Sequence, residues 1–270
     1  MSDIEHAHTT SADGTPIAYF RRGSGPALVV THGSIATKEQ WLPASEALAE
    51  HVTLYVHDRR GRGGSGDAAE YSLDTEVADI AAMMAVAGPG AHLLGHSFGA
   101  LATLAYARRH GLSGGTLIAY EPPLAVQGPV AGERLAGYRE LVDAGDLDGA
   151  LEYALVNFVR VPAEAIPVIR ETPLWGASVP LTPTWVRELV EIDALGDDLS
   201  GYAEIHDPTH LIAGTATTSF LYQSAHDLAE IIPGAGVTDI DGADHFAHLS
   251  DPAGFAHVVV DALQPARAQS

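Results

Sequence analysis

Short apolar runs and longer helix-like stretches alternate along most of the chain. Runs of four to six residues, rich in aliphatic and β-branched side chains, stand at Ile17–Arg21, Ala27–Thr31, Val52–His57, Ala91–Gly95, Thr116–Tyr120, His210–Ala213 and Val237–Ile240. Between most of them lie stretches with helical character, such as Glu39–His51 and Thr75–Ala87. Continuously apolar strands suit a sheet buried on both faces, and strands alternating with helices predict an α/β fold with a mostly parallel sheet. The alternation stops after Tyr120. From about Pro122 to Ile205 the chain reads helical, with segments at Gly132–Ala144, Leu147–Val159, Ala163–Glu171 and Pro183–Leu195, punctuated by prolines and glycines and without a strand pair. The expected organisation is an α/β core made of residues 1–121 and 206–270, with 122–205 as a helical insertion. The tail Gln264–Ser270 reads as frayed.

Composition narrows the class. At 270 residues the chain can bury a large core, and 46% hydrophobic with 18% charged residues marks a globular protein. No apolar run reaches the roughly 18 residues of a membrane span. Met1-Ser2-Asp3-Ile4-Glu5-His6 lacks the basic and apolar regions of a signal peptide. The expectation is a soluble, cytoplasmic protein. With no cysteine there is neither a disulfide framework nor a thiol nucleophile. The formal charge of −21 argues against nucleic acid and anionic membranes as partners. A small molecule is the expected partner.

The chemistry concentrates at Gly95-His96-Ser97-Phe98-Gly99, between the run ending at Gly95 and the helix-like stretch Ala100–Arg109. This is G-x-S-x-G. Glycines two residues either side of a serine let a strand and a helix approach closely around a strained turn. The helix start then offers backbone N–H groups where an oxyanion would form. Ser97 reads as a nucleophile, with a tight structural turn as the plainer alternative. Three further motifs stand in order around it. His32-Gly33-Ser34 follows the run Ala27–Thr31, Asp58-Arg59-Arg60-Gly61-Arg62-Gly63-Gly64-Ser65-Gly66 follows Val52–His57, and Gly242-Ala243-Asp244-His245 follows Val237–Ile240.

With these four motifs the chain resembles the α/β-hydrolase superfamily over nearly its whole length. The resemblance implies an eight-stranded, mostly parallel sheet flanked by helices, with the insertion as a helical cap over the active site between the sixth and seventh strands. It implies His245 as the base that takes the Ser97 proton, and the backbone N–H groups of Ser34 and Phe98 as the oxyanion hole. His32 reads as a residue that shapes its loop, His96 as a pocket wall, and His248 as a helical neighbour. The Asp58–Gly66 loop lacks the phosphate-cradling G-x-x-x-x-G-K-[ST] pattern and reads as structural, with Asp58 and its arginines paired locally. None of the fourteen histidines has H-E-x-x-H or similar spacing, so no metal site and no cofactor are expected.

The acid departs from the common pattern. Most members of the superfamily carry an Asp or Glu after the seventh strand, where this chain has Gly214-Thr215-Ala216-Thr217-Thr218-Ser219-Phe220. A second position used in the superfamily lies at the end of the sixth strand, and there stands Glu121, in Tyr120-Glu121-Pro122-Pro123. Glu121 is the leading orienter for His245, with a structural strand end as the alternative. Asp244 adjoins His245 awkwardly, Asp227 falls on the following helix, and Asp239 and Asp241 read as part of the eighth strand, where either face is open to them.

The expected function is a serine hydrolase of a small carboxylic ester, thioester or related acyl compound. Non-hydrolytic chemistry in the same pocket (acyl transfer, cyclisation or C–C cleavage) and a non-catalytic binding protein are the alternatives. An elbow serine disfavours haloalkane dehalogenase and epoxide hydrolase readings, which need a carboxylate nucleophile. Tyr138, Tyr153, Phe158, Trp175, Trp185 and Tyr202 are available as a pocket roof, though aromatics at helical spacing more often form core.

Overall fold

A computed structural model describes residues 3–264; apart from Gln264, the tail expected to fray lies outside the described residues. Eight strands form one sheet: β1 (Glu5–Thr10), β2 (Pro16–Gly23), β3 (Ala27–Thr31), β4 (Thr53–His57), β5 (His92–His96), β6 (Leu117–Tyr120), β7 (Thr209–Gly214) and β8 (Gly236–Ile240). Their order is β1-β2-β4-β3-β5-β6-β7-β8. The β1–β2 and β2–β4 pairings are antiparallel and every other pairing is parallel. The seven apolar runs all become strands. The eighth, β1, carries the polar string Glu-His-Ala-His-Thr-Thr and lies half-exposed at the sheet edge, so it has no apolar signature to read.

Helices cover both faces. On one side lie α1 (Leu42–Leu48) and, near the C-terminus, α10 (Ala247–Ser250) and α11 (Pro252–Ala262). On the other lie α2 (Leu73–Ala87), α3 (Phe98–His110) and α9 (Ser219–Ile231). The expected helix Glu39–His51 is shorter than its pattern: a 3-10 turn spans Lys38–Trp41 and the α-helix begins at Leu42, with Pro43 in its first turn. Proline lacks the N–H that an interior position must donate but is tolerated at a helix start.

Between β6 and β7 come α4 (Arg134–Asp143), α5 (Leu147–Ala154), α6 (Ile166–Arg170), α7 (Pro173–Ser178) and α8 (Thr182–Ala194). The segment read as one helix over Leu147–Val159 widens into a π-helical turn at Leu155–Val159 and stops at Arg160, whose φ is 64°. The following Val161-Pro162 explains the stop, since the residue before a proline is pushed out of the helical region. Tyr138, Phe158 and Trp185 meet edge to face, with ring centroids 5.3–6.3 Å apart, and belong to the same apolar core as the sheet and α3. No helix among the described residues is long and apolar enough to cross a membrane.

His57, at the end of β4, is fully buried, and burial depresses its pKa to about 4. His248, on α10, is also fully buried; burial, followed by the nearby His245, takes it to about 3. Both are held neutral in the fold but bind a proton near pH 6.5 once unfolded. Their stabilising contribution is therefore complete above about pH 6.5 and is lost as pH falls through that value toward 4 and 3. Each such group removes up to about 1.4 kcal/mol per pH unit over its window. Urea midpoints at pH 7, 6 and 5 are expected to fall progressively; a flat profile would show that these imidazoles are not held neutral.

Candidate active site

Ser97 occupies the turn between β5 and α3, with φ 54° and ψ −124°. A non-glycine residue in that region is strained, and the surroundings hold it there. Gly95 passes so close to α3 that a Cβ on it would lie 2.6 Å from the Ala100 Cα and would collide with Thr103. A Cβ on Gly99 would run into the carbonyls of Thr31 and His32 on the neighbouring loop. Both glycines of G-x-S-x-G are thus required by close approach. Phe98 opens α3, so its N–H is among the helix-start donors with no intrahelical partner.

The loop after β3 approaches from the side: a Cβ on Gly33 would sit 2.9 Å from the Ser97 Cβ. The carbonyl of Gly33 accepts from His32 Nδ1 at 2.8 Å and from Arg59 Nη1 at 3.2 Å. That carbonyl shares its peptide plane with the N–H of Ser34, which points the opposite way. Two donors on one side of the peptide fix the direction of the N–H on the other. The Arg59 backbone N–H donates to His32 Nε2 at 3.1 Å, which leaves Nδ1 as the protonated nitrogen. Burial, then the positive charges of Arg59 and Arg62, hold His32 well below the ordinary histidine range, so it stays neutral.

Arg59 is itself buried. It pairs with Glu76 of α2 and Glu188 of α8, each at 2.7 Å, and its guanidinium lies 4.3 Å over the Phe98 ring. Arg62 pairs with the same Glu188. Burial pushes the Glu76 carboxyl up, but Arg59 outweighs it and holds the pKa at about 2. The expectation of local pairing in this loop is corrected. Asp58 pairs with Lys38 at 2.6 Å, Arg60 with Asp79 at 2.7 Å, and Arg59 and Arg62 reach 129 and 126 residues along the chain to Glu188. Burial explains the reach, because a charge inside the protein needs a partner wherever the fold supplies one.

His245 follows β8 in the loop leading to α10, and both it and Ser97 line the same cavity. Its Nδ1 lies 2.5 Å from Oε2 of Glu121. Glu121 comes directly after β6, is fully buried, and has φ 47°. Gly214 N–H donates to its Oε1 at 2.7 Å and Thr217 Oγ1 to its Oε2 at 2.8 Å. With Nδ1–H directed at the carboxylate, the Nε2 lone pair is left to accept a proton. The last residue of β7 and the loop after it, where a carboxylate is missing, instead supply one donor each to a carboxylate one strand over. The other acids are engaged elsewhere. Asp244 Oδ1 accepts from Phe246 N–H at 2.8 Å, Asp239 bonds Tyr222 and His226, and Asp241 bonds Thr215.

The His245 loop is pinned from below. Tyr120 donates its hydroxyl proton to the Asp244 carbonyl at 2.9 Å and accepts from Ala247 N–H at 3.1 Å. His96 Nε2 lies 3.0 Å from the His245 carbonyl, and its ring stacks on Tyr120 at 4.7 Å. His96 also borders the cavity, beside its role under the histidine loop. Sequence reasoning had no access to Thr217, Tyr120 or Arg59 in these positions, because each acts through a partner on another strand or loop.

The eight-stranded sheet and the strand–turn–helix setting of Ser97 are those of the α/β-hydrolase superfamily. The sequence profile described as "Alpha/beta hydrolase family" matches residues 28–258, and the chain belongs to that family. A solved α/β hydrolase from Sphaerobacter thermophilus is 32% identical, with a TM-score of 0.85 over 96% of this chain and 100% of that one. N-formylmaleamate deformylase of Pseudomonas putida is 35% identical over 133 residues, 48% of this chain; the match spans about half of that relative, 49%. The 2-(acetamidomethylene)succinate hydrolase of Mesorhizobium japonicum is 24% identical over 86% of this chain and 85% of its own length.

Proposed function

We propose that the protein is a serine hydrolase that cleaves a small-molecule acyl compound through an acyl-enzyme on Ser97. The observation that carries this reading is the 2.5 Å contact between His245 Nδ1 and Glu121, which directs the free Nε2 toward proton transfer. In the first half-reaction Ser97 Oγ bonds the acyl carbon as His245 Nε2 takes its proton. The bond to the leaving group then breaks, and the imidazolium returns the proton to that group. In the second, His245 takes a proton from water as its oxygen attacks the acyl carbon. The Ser97 ester breaks, the serine regains a proton, and the acid leaves. Glu121 stabilises the imidazolium, and the N–H groups of Ser34 and Phe98 stabilise the oxyanion in both halves. The relatives' names, a deformylase and a hydrolase, support an acyl group delivered to water.

The test is partitioning. p-Nitrophenyl acetate and phenyl acetate, hydrolysed in the presence of methanol, are expected to give the same ratio of methyl acetate to acetate, because both pass through one acetylated Ser97. Ratios that depend on the leaving group would contradict a common acyl-enzyme and favour direct attack by water.

A further inference from the structure

Ser97, Ser34 and His245 lie between two cavities of very different size. The larger, about 690 Å³, extends under the helical insertion and is walled by Leu151, Leu155, Val161, Ile169, Leu174 and Trp175. The smaller, about 30 Å³, is bordered by Val130, Phe158, Ile192, Phe220 and Leu221. Among the described residues no Lys or Arg lines either cavity. The buried arginines nearby, Arg59 and Arg62, are committed to Glu76 and Glu188. Among the described residues the one acidic side chain on the larger wall is Asp244.

From this asymmetry we infer the substrate class: an uncharged ester or related acyl compound with a bulky apolar group on one side of the scissile bond and a short fragment on the other. The inference rests on the serine-hydrolase reading and specifies it. Two physical effects set the class. An apolar chain entering the larger cavity leaves water for an aliphatic and aromatic wall. A carboxylate on that chain would lose its hydration with no cation to meet it, next to Asp244 and inside a protein of formal charge −21. On the other side, a chain longer than the small cavity meets the fully or almost fully buried rings and aliphatic side chains of Phe158, Ile192, Phe220 and Leu221, which are packed into the core and have little room to yield.

The experiment compares kcat/KM for hexyl acetate, methyl hexanoate, hexyl hexanoate and monomethyl adipate, each cleaved by water to acid and alcohol. Fluorophosphonate labelling of Ser97 is run in parallel. At least one of the first two is expected to exceed both hexyl hexanoate and monomethyl adipate by tenfold or more. Which of the two is faster says whether the acyl or the alcohol fragment takes the small cavity. Hexyl hexanoate or monomethyl adipate turned over as fast as the better short-fragment ester overturns the proposal. So does the absence of turnover of all four esters with Ser97 still labelled, and in that case the nucleophile reading stands. No turnover and no labelling removes the serine reading itself.

Discussion

Ser97→Ala is expected to lower kcat/KM by at least about four orders of magnitude on any ester the wild type cleaves, with an unfolding midpoint close to that of the wild type. Only a hydroxyl is lost, and the turn that carries it is held by the close approach of Gly95 and Gly99 rather than by the side chain. Nucleophile and base act as one unit, so removing either removes nearly the whole covalent pathway. His245→Ala should therefore be almost as damaging, and the double variant little worse than either single one. Steady-state kinetics of the three purified, folded variants checks this. Multiplying losses in the double-mutant cycle would mean that His245 works independently of Ser97, and full activity in Ser97→Ala would leave general-base or binding chemistry in its place.

Glu121→Gln is the second large effect, expected at two to four orders of magnitude in kcat with little change in KM. The amide keeps the shape of the buried site. It carries no charge to stabilise the imidazolium, and its NH2 group can hold His245 in the tautomer that places the proton on Nε2. Thr217 already donates to the Glu121 carboxylate at 2.8 Å, so an acid at that position starts close to the imidazole edge. Thr217→Asp in the Glu121→Gln background is expected to recover part of the lost rate. Wild-type kcat in Glu121→Gln would remove the carboxylate from the mechanism and leave a serine–histidine pair.

The parts of this site that were legible in the sequence are those encoded by local chemistry. G-x-S-x-G needs two glycines because strand, turn and helix touch there, and that requirement is written in five consecutive residues. Buried parallel strands announce themselves as apolar runs, whereas β1, half-exposed and antiparallel at the edge, does not. Glu121 was legible mainly by subtraction, through the carboxylate missing after β7. Its donors, Gly214 N–H and Thr217, were not, because they meet it only once β6 and β7 lie side by side. The same holds for Arg59. Its charge is visible in the sequence, but its partners Gly33, Glu76 and Glu188 come from three distant segments brought together by the fold.

The most direct measurement needs no knowledge of the substrate: the rate and site of phosphonylation by a fluorophosphonate, followed by intact mass and peptide mapping in the wild type and in Glu121→Gln. The expected result is a single adduct on Ser97 in the wild type, formed at least a hundredfold more slowly in the variant, because the reagent reports a serine activated through His245 and its acid. An adduct elsewhere, none at all, or equal rates in the two proteins would contradict a Ser97–His245–Glu121 triad.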